Sequence, residues 1–136
     1  MTTHGLIERL RQAVDNHDLD ALAACFSPDF RNETPAHPGR SFSGRAQVRA
    51  NWARIFGGLP DFAARVVRTT VDGDVVWTEW EMGGTRVDGV PQTLRGAIIF
   101  GVSGEHLSWC RFYLEPVDVG EEGVEAAIGR IAEPGR

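Results

Sequence analysis

The chain has 136 residues, a formal net charge of −5 and no lysine, since all 14 basic residues are arginines. This length fits one domain that buries about two-thirds of its unfolded surface. An acidic chain without a basic cluster argues against nucleic-acid binding, and the absence of lysine excludes Schiff-base lysines and a phosphate-binding P-loop lysine.

Cellular location and redox state follow from the apolar segments and the cysteines. No apolar run approaches the roughly 20 residues that cross a bilayer. Residues 1–5 lack the basic region and apolar stretch of a secretory signal. We therefore expect a cytoplasmic protein without membrane contacts. Cys25 and Cys110 lie among apolar neighbours and are expected to be free thiols.

The first part of the chain predicts helices. Apolar residues recur at helical spacing from Leu6 to Val14, and Asp18 can cap a second helix. Pro28 ends that helix, and Gly44 opens a third. The predicted helices cover residues 5–16, 19–26 and 45–56, with a short extended piece over 29–32.

The period then changes to two, which indicates strands. The predicted strands cover residues 61–71, 74–84, 92–102 and 106–116. Short turn signals at Asp72-Gly73, Asp88-Gly89 and Ser103-Gly104 join them into an antiparallel meander. Residues 121–132 can form a terminal helix. We predict an α+β fold in one domain: a curved antiparallel sheet packs on three amino-terminal helices, with a core over 5–117 and a tail over 118–136.

Alternation within the strands separates two faces of the sheet. The inner set is the more apolar: Val76, Thr78, Trp80, Met82, Gly96, Ile98, Phe100, Val102, Ser108, Cys110, Phe112 and Leu114. The outer set mixes apolar and charged residues: Trp77, Glu79, Glu81, Arg95, Ile99, Leu107, Trp109, Arg111, Tyr113 and Glu115. A mixed patch of this kind predicts an interface, most simply a symmetric homodimer through the outer face. The alternative is that residues 117–136 fold over it. A bulge would invert part of the assignment. Glu79, Glu81 and Glu115 could be carboxylates for acid/base work, but alternation puts them on the outer face beside arginines; a twist of the last strand at Pro116 would bring Glu115 to the pocket rim.

Several strings, in this order, resemble the SnoaL-like branch of the nuclear transport factor 2-like superfamily, which includes polyketide cyclases, ketosteroid isomerases and limonene epoxide hydrolase. The strings are Asp18 to Leu22, Phe26 to Asn32, Gly44-Arg45-Ala46, Gly104 to Leu107 and Arg111 to Glu115. The resemblance implies a cone-shaped fold, a dimer, and a pocket between sheet and helices.

The resemblance also marks positions where family enzymes carry acids, bases or hydrogen-bond donors. Most are apolar here: Leu10, Trp80, Met82, Ile98, Phe100 and Phe112. Asn32 is the polar exception; it matches the general base of the isomerases and an asparagine of the epoxide hydrolase that helps hold water. An amide does not titrate near neutral pH and cannot act as a base.

Three residues are therefore candidate catalytic residues. Asn32 would orient the reacting oxygen or a water, or it could bond to the backbone of the proline-rich loop. His37 and Glu33 lie in or beside that loop, and either could move a proton. The candidate substrate-binding residues form a largely aromatic set, and the alternative for each is plain core: Trp52, Trp80, Met82, Phe100, Cys110 and Phe112.

No metal or cofactor motif is present. The four histidines have no ligand spacing, and glycine-rich phosphate loops are absent, so we expect neither a metal nor a cofactor. The leading hypothesis is a small-molecule enzyme of the polyketide cyclase or isomerase type that acts on an apolar cyclic substrate. The alternatives are a non-catalytic binding protein for an apolar metabolite and a dimeric interaction module with a filled core.

Overall fold

The computed structural model describes residues 2–135, which form four helices and one six-stranded sheet. The helices are α1 (Thr3–Asp15), α2 (Leu19–Ala24), α3 (Arg45–Gly58) and α4 (Val124–Ala132). The strands are β1 (Phe26–Glu33), β2 (Phe42–Ser43), β3 (Ala63–Asp72), β4 (Val75–Thr85), β5 (Pro91–Ser103) and β6 (His106–Pro116). The predicted α+β class is confirmed. Helix α4 corresponds to the terminal helix expected over 121–132, and β2 is the one strand that the sequence does not predict.

The strand order of the sheet is β2-β1-β6-β5-β4-β3. Strands β3 to β6 form the predicted antiparallel meander. Strand β1 runs antiparallel to β2 but parallel to β6. The short strand that the sequence predicts beside the antiparallel meander therefore joins it as a parallel neighbour of β6. A parallel pair requires a long connection between its strands, and the segment from α3 to β5 supplies it.

Strand β1 is longer than predicted and begins where the second helix is expected to continue. Helix α2 ends at Ala24, and the Cys25 carbonyl then accepts a hydrogen bond from the Leu107 amide at 2.8 Å. The pairing of β1 with β6 shifts register between Phe26 and Arg31. This irregularity accommodates Pro28, which has no N–H to donate to the sheet.

Helix α2 begins at a capping aspartate, and a long-range hydrogen bond ties the end of helix α1 to the sheet. Asp18 accepts from the Ala21 amide at 3.0 Å, which confirms the predicted cap. Asp15 accepts from the Ala64 amide of β3 at 2.7 Å. Helix α1 buries its apolar stripe, including Leu10 and Val14, and packs against β3 and α2.

Helix α3 begins at a glycine for a conformational reason. Gly44 has φ +99°, a region that glycine adopts without a steric cost. Its amide donates to the Phe30 carbonyl at 2.6 Å, which ties the start of α3 to β1. Helix α3 packs on β1 and α2, so it faces the same side of the sheet as α1.

The predicted inner face is largely confirmed, with one correction near the β5–β6 hairpin. Most inner positions of β4 to β6 are buried: Val76, Thr78, Trp80, Met82, Ile98, Phe100, Cys110 and Leu114. Alternation predicts Leu107 on the outer face, but this residue is fully buried. The reason is a register shift, since Gly101 pairs with Trp109 and Val102 with Leu107. Such a bulge inverts the side-chain alternation beyond it.

The outer face of the sheet leaves two large aromatic side chains in contact with solvent. Trp77 is 52% exposed and Tyr113 is 38% exposed, whereas Ile99 is buried. The carboxy-terminal tail therefore does not cover these two aromatic residues. Helix α4 buries none of its own residues. Within residues 2–135, no helix is both long enough and apolar enough to span a bilayer.

Candidate functional site

A cavity of about 230 Å³ lies between the inner face of the sheet and helices α1 and α3. All six predicted substrate-binding residues line it: Trp52, Trp80, Met82, Phe100, Cys110 and Phe112. Asn32 lines it as well. The strands supply most of these side chains because alternate residues of a strand point to one face. The wall is therefore mainly apolar, as sites for small molecules usually are.

Asn32 occupies a buried polar position in that wall. Strand β1 pairs Asn32 with Cys110 of β6, and Asn32 is 7% exposed. The Cys110 thiol donates to Asn32 Oδ1 at 3.0 Å, and Asn32 Nδ2 donates to Thr34 Oγ1 at 3.0 Å. Both ends of the amide are thus engaged, which fixes its orientation. The predicted alternative, a bond from Asn32 to the loop backbone, is not what the structure shows.

Cys110 does not have the properties of a nucleophile. Burial, with a smaller contribution from the Glu33 charge, raises the pKa of the Cys110 thiol to about 12. A reactive cysteine needs a cationic neighbour that lowers its pKa. The side chain therefore serves as a neutral donor to Asn32.

The titratable groups of the site lie at the cavity mouth. Glu115, near the end of β6, lines the cavity, and His37 Nε2 lies 3.0 Å from Glu115 Oε1. Arg40 also lines the cavity, and its Nη1 lies 3.8 Å from Glu115 Oε2. The loop after β1 thus meets the last strand here. The prediction that Glu115 belongs to the outer face is corrected, because both Leu114 and Glu115 reach the cavity at this strand end.

Glu33 lies elsewhere. It follows Asn32 in β1, so alternation turns its side chain to the other face of the sheet. There Arg111 Nη1 donates to Glu33 Oε2 at 2.7 Å. The structure therefore does not bring Glu33 to the cavity together with Asn32. Glu79 and Glu81 also pair with arginines, on the outer face where alternation predicts them.

The indole N–H of Trp80 forms its hydrogen bond within the protein. Trp80 Nε1 donates to Thr78 Oγ1 at 2.7 Å, and Thr78 Oγ1 donates to the Ile98 carbonyl at 2.6 Å. The Trp80 indole therefore presents carbon atoms to the cavity and keeps its N–H for the protein. Among residues 2–135, no group of three or more His, Cys, Asp or Glu side chains has a geometry that could hold a metal ion.

Three polar residues of the cavity lining are not among the residues that the sequence singles out: Thr34, Arg40 and Asn51. Thr34 is 4% exposed and lines the cavity just after β1. Thr34 is two residues after Asn32, a spacing that puts both side chains on the same face of a strand. The sequence could indicate this only if the predicted strand continued as far as Thr34. Arg40 belongs to a 3-10 turn (Pro38–Arg40) in the loop, for which no sequence period gives an orientation.

Comparisons with solved structures place the fold among small α+β proteins of related architecture. A Catenulispora acidiphila protein with a ketosteroid isomerase-like fold, solved with trimethylamine, is 21% identical, with 82% of this chain and 87% of that chain covered and a TM-score of 0.71. A Mycobacterium tuberculosis epoxide hydrolase of the limonene epoxide hydrolase type is 20% identical, with coverage of 82% and 80% and a TM-score of 0.70.

A Sinorhizobium meliloti protein described as a polyketide cyclase is 22% identical, with coverage of 82% and 94% and a TM-score of 0.63. At these identities the likeness establishes the fold alone. A search of curated proteins returns no match to the sequence. The sequence profile of the SnoaL-like domain, however, matches residues 7–109. The chain therefore belongs to the SnoaL-like domain family.

Proposed function

We propose that the protein is a small-molecule enzyme of the polyketide cyclase or isomerase type, acting on an apolar cyclic substrate in the cavity. The observation that supports catalysis is the pair formed by Glu115, which lines the mainly apolar cavity, and His37, whose Nε2 lies 3.0 Å from Glu115 Oε1. Proton transfer beside a carbonyl needs a titratable group within hydrogen-bond reach of the substrate. Glu115 is a group of that kind that lines the wall.

In this proposal Glu115 is the base and His37 orients it. The carboxylate takes a proton from a carbon beside a substrate carbonyl, and the pair later returns a proton to the substrate. His37 holds one carboxylate oxygen, and Arg40 lies near the other. The sequence alone predicts proton transfer by His37 or Glu33. The contacts favour a shared role for His37 with Glu115 and give none to Glu33.

The second candidate function is a non-catalytic binding protein for an apolar metabolite. It is favoured by the side chains that occupy the family's usual catalytic positions, where Trp80, Phe100 and Phe112 offer no titratable group. The Cys110 thiol stays protonated at neutral pH, since its pKa is about 12. An interaction module with a filled core is disfavoured by a cavity of about 230 Å³.

Hydrogen–deuterium exchange on a panel of cyclic ketones in D2O tests catalysis and does not require that the product be identified. If Glu115 abstracts a proton, the C–H bond beside the carbonyl breaks and deuterium from solvent replaces the hydrogen, which mass spectrometry detects. We expect Glu115→Gln to slow exchange by about 10²- to 10⁴-fold, the usual contribution of a general base. His37→Ala should slow it less, since Glu115 remains in place.

Glu33→Gln is the matched control, because Glu33 is a carboxylate at the end of β1 that pairs with Arg111 on the other face of the sheet. Its exchange rate should equal that of the wild type. Equal rates in Glu115→Gln and the wild type would contradict the assigned base. Selective retention of a ketone without any exchange or product would support the binding protein instead.

We also propose a homodimer through the outer face of the sheet, with a second copy of this chain as the occupant. The exposed Trp77 and Tyr113 share this face with charges of both signs, including Arg95 paired with Glu81. A surface carrying both signs can complement itself about a two-fold axis.

We keep the cytoplasmic location as a prediction. The two buried free thiols are compatible with a reducing compartment of that kind.

A further inference from the structure

A short chain of hydrogen bonds in the cavity wall ends at a hydroxyl group. The Cys110 thiol donates to Asn32 Oδ1, and Asn32 Nδ2 donates to Thr34 Oγ1, each at 3.0 Å. All three side chains are buried, and all three line the cavity. A protonated thiol has a hydrogen to give to the amide oxygen, and in this arrangement the amide nitrogen, which can only donate, faces Thr34.

These hydrogen bonds leave open which atom accepts the hydrogen of the Thr34 hydroxyl. Because Thr34 Oγ1 accepts from Asn32, its own O–H remains available to donate to a different acceptor. Within the part of the chain that the structure describes, the Thr34 hydroxyl donates no hydrogen bond. The Ser41 hydroxyl is close by, but it accepts from the Thr34 backbone amide at 3.1 Å.

Thr78 provides an internal comparison. It too accepts from a side chain two residues away in its strand, the Trp80 indole, at 2.7 Å. Its hydroxyl then donates to the Ile98 carbonyl at 2.6 Å, so both of its roles are filled by the protein. Among residues 2–135, Thr34 has the same kind of donor but no carbonyl that receives its hydrogen. A hydroxyl can donate as well as accept, and Thr34 lines the cavity, so an acceptor bound there can receive this hydrogen.

We propose that Thr34 donates a hydrogen bond to a neutral oxygen of the ligand, such as a ketone carbonyl, and that Asn32 and Cys110 orient this donor. The inference rests on the proposed function in one respect, namely that the cavity takes an apolar molecule. A carboxylate or phosphate is disfavoured at this point. The thiol, amide and hydroxyl are uncharged, and a buried anion without a charged partner is costly.

Thr34 therefore distinguishes between apolar molecules of nearly the same shape by whether they carry a carbonyl oxygen. A ketone gains the hydrogen bond, and the corresponding hydrocarbon leaves the hydroxyl without a partner. The test compares 2-tetralone, a bicyclic ketone, with tetralin, the hydrocarbon of the same framework. Equilibrium dialysis gives the ratio of their dissociation constants for each variant. Comparing that ratio between variants cancels the different solubilities of the two ligands in water.

In Thr34→Val, a change of nearly equal volume, we expect the preference for the ketone over the hydrocarbon to fall about five- to tenfold, as for one neutral hydrogen bond. Tetralin affinity should stay within about twofold. Thr34→Ser keeps the hydroxyl and should restore the wild-type ratio. An unchanged ratio in Thr34→Val, or a Thr34→Ser variant that behaves like Thr34→Val, would overturn the proposal.

A measurement on the wild type covers the case in which Thr34→Val does not fold, since the substitution leaves an Asn32 N–H without its acceptor. Isotope-edited infrared spectroscopy of carbonyl-labelled 2-tetralone should show a bound C=O stretch at lower frequency than in an alkane solvent. A stretch at the alkane value would overturn the role of Thr34 while leaving an apolar ligand site intact. Binding of neither compound to the wild type would contradict this inference and the proposed function together.

Discussion

At the scale of single residues, burial decides what Cys110 can do. The thiol lies in the cavity wall and donates to Asn32. Its pKa is raised from 9.0 to about 12, chiefly by burial, because the thiolate would lose its hydration there. The folded protein therefore holds the proton more tightly than the unfolded chain, which links folding stability to pH.

This linkage predicts a loss of stability at alkaline pH. The stabilising effect is fully present below the unfolded pKa near 9 and is lost as pH rises towards the folded value of about 12. Urea denaturation across this range should show a fall in unfolding free energy that is less steep in Cys110→Ala. Cys25→Ala is the comparison at the other buried thiol, whose pKa is also raised by burial. An identical slope in the wild type and Cys110→Ala would contradict the prediction.

The glutamates of the sheet show where sequence alternation predicts the direction of a side chain and where it does not. Alternation correctly predicts that Glu79 and Glu81 face outwards, where arginines pair with them. It fails at Glu115, because strand β6 is about to end and adjacent residues there both reach the cavity. Glu33 follows the predicted extended piece, whereas in the structure it belongs to β1 and points away from the cavity. Alternation is reliable only within a strand whose limits are known.

At the scale of secondary-structure elements, the pairing of strands β5 and β6 includes a close contact between the backbone of Gly101 and the Trp109 indole. Gly101 pairs with Trp109, and a Cβ placed on Gly101 would overlap the atoms of the Trp109 indole. The indole therefore lies directly on the glycine, beside the register shift that buries Leu107. Any side chain at position 101 must displace the whole ring.

We expect Gly101→Ala to lower the free energy of unfolding by about 1–3 kcal/mol, the usual cost of overpacking. Near-ultraviolet circular dichroism should report the displaced Trp109 ring. The matched control is Gly57→Ala in helix α3, where an added Cβ meets no atom within 4 Å. Since alanine favours helix more than glycine does, that variant should gain about 0.5–1 kcal/mol. Equal stability of the two variants would contradict the close approach.

The elements differ in how well the sequence predicts them. The β3–β6 meander is predicted within a few residues, because turn signals and a period of two agree there. Strand β1 is predicted at half its length, because Pro28 is typical of a break rather than of a strand. The bulge that accommodates Pro28 arises from pairing with β6, a contact that no local pattern can show.

At the scale of the whole molecule, the outer face of the sheet determines the proposed assembly. Trp77 is more exposed than Tyr113, which shares that face. Trp77→Arg should convert the proposed dimer to a monomer, since it adds a positive charge to the contact surface of each copy and removes apolar contact area. Sedimentation equilibrium measures this change directly. Val87→Arg, at a still more exposed site between β4 and β5, should leave the assembly unchanged. A wild-type protein that sediments as a monomer would contradict the homodimer.

The parallel pair of β1 and β6 also affects how the chain can fold during synthesis. Asn32 and Cys110 are 78 residues apart, yet together they form one wall of the cavity. On the ribosome, β1 emerges early with Phe26 and Phe30, which the finished protein buries. Strand β2 and helix α3 follow soon after and can pack on β1, but the β6 edge of β1 stays unpaired until residues 106–116 have been made. The cavity wall that joins Asn32 to Cys110 can therefore form only after β6 has been synthesised.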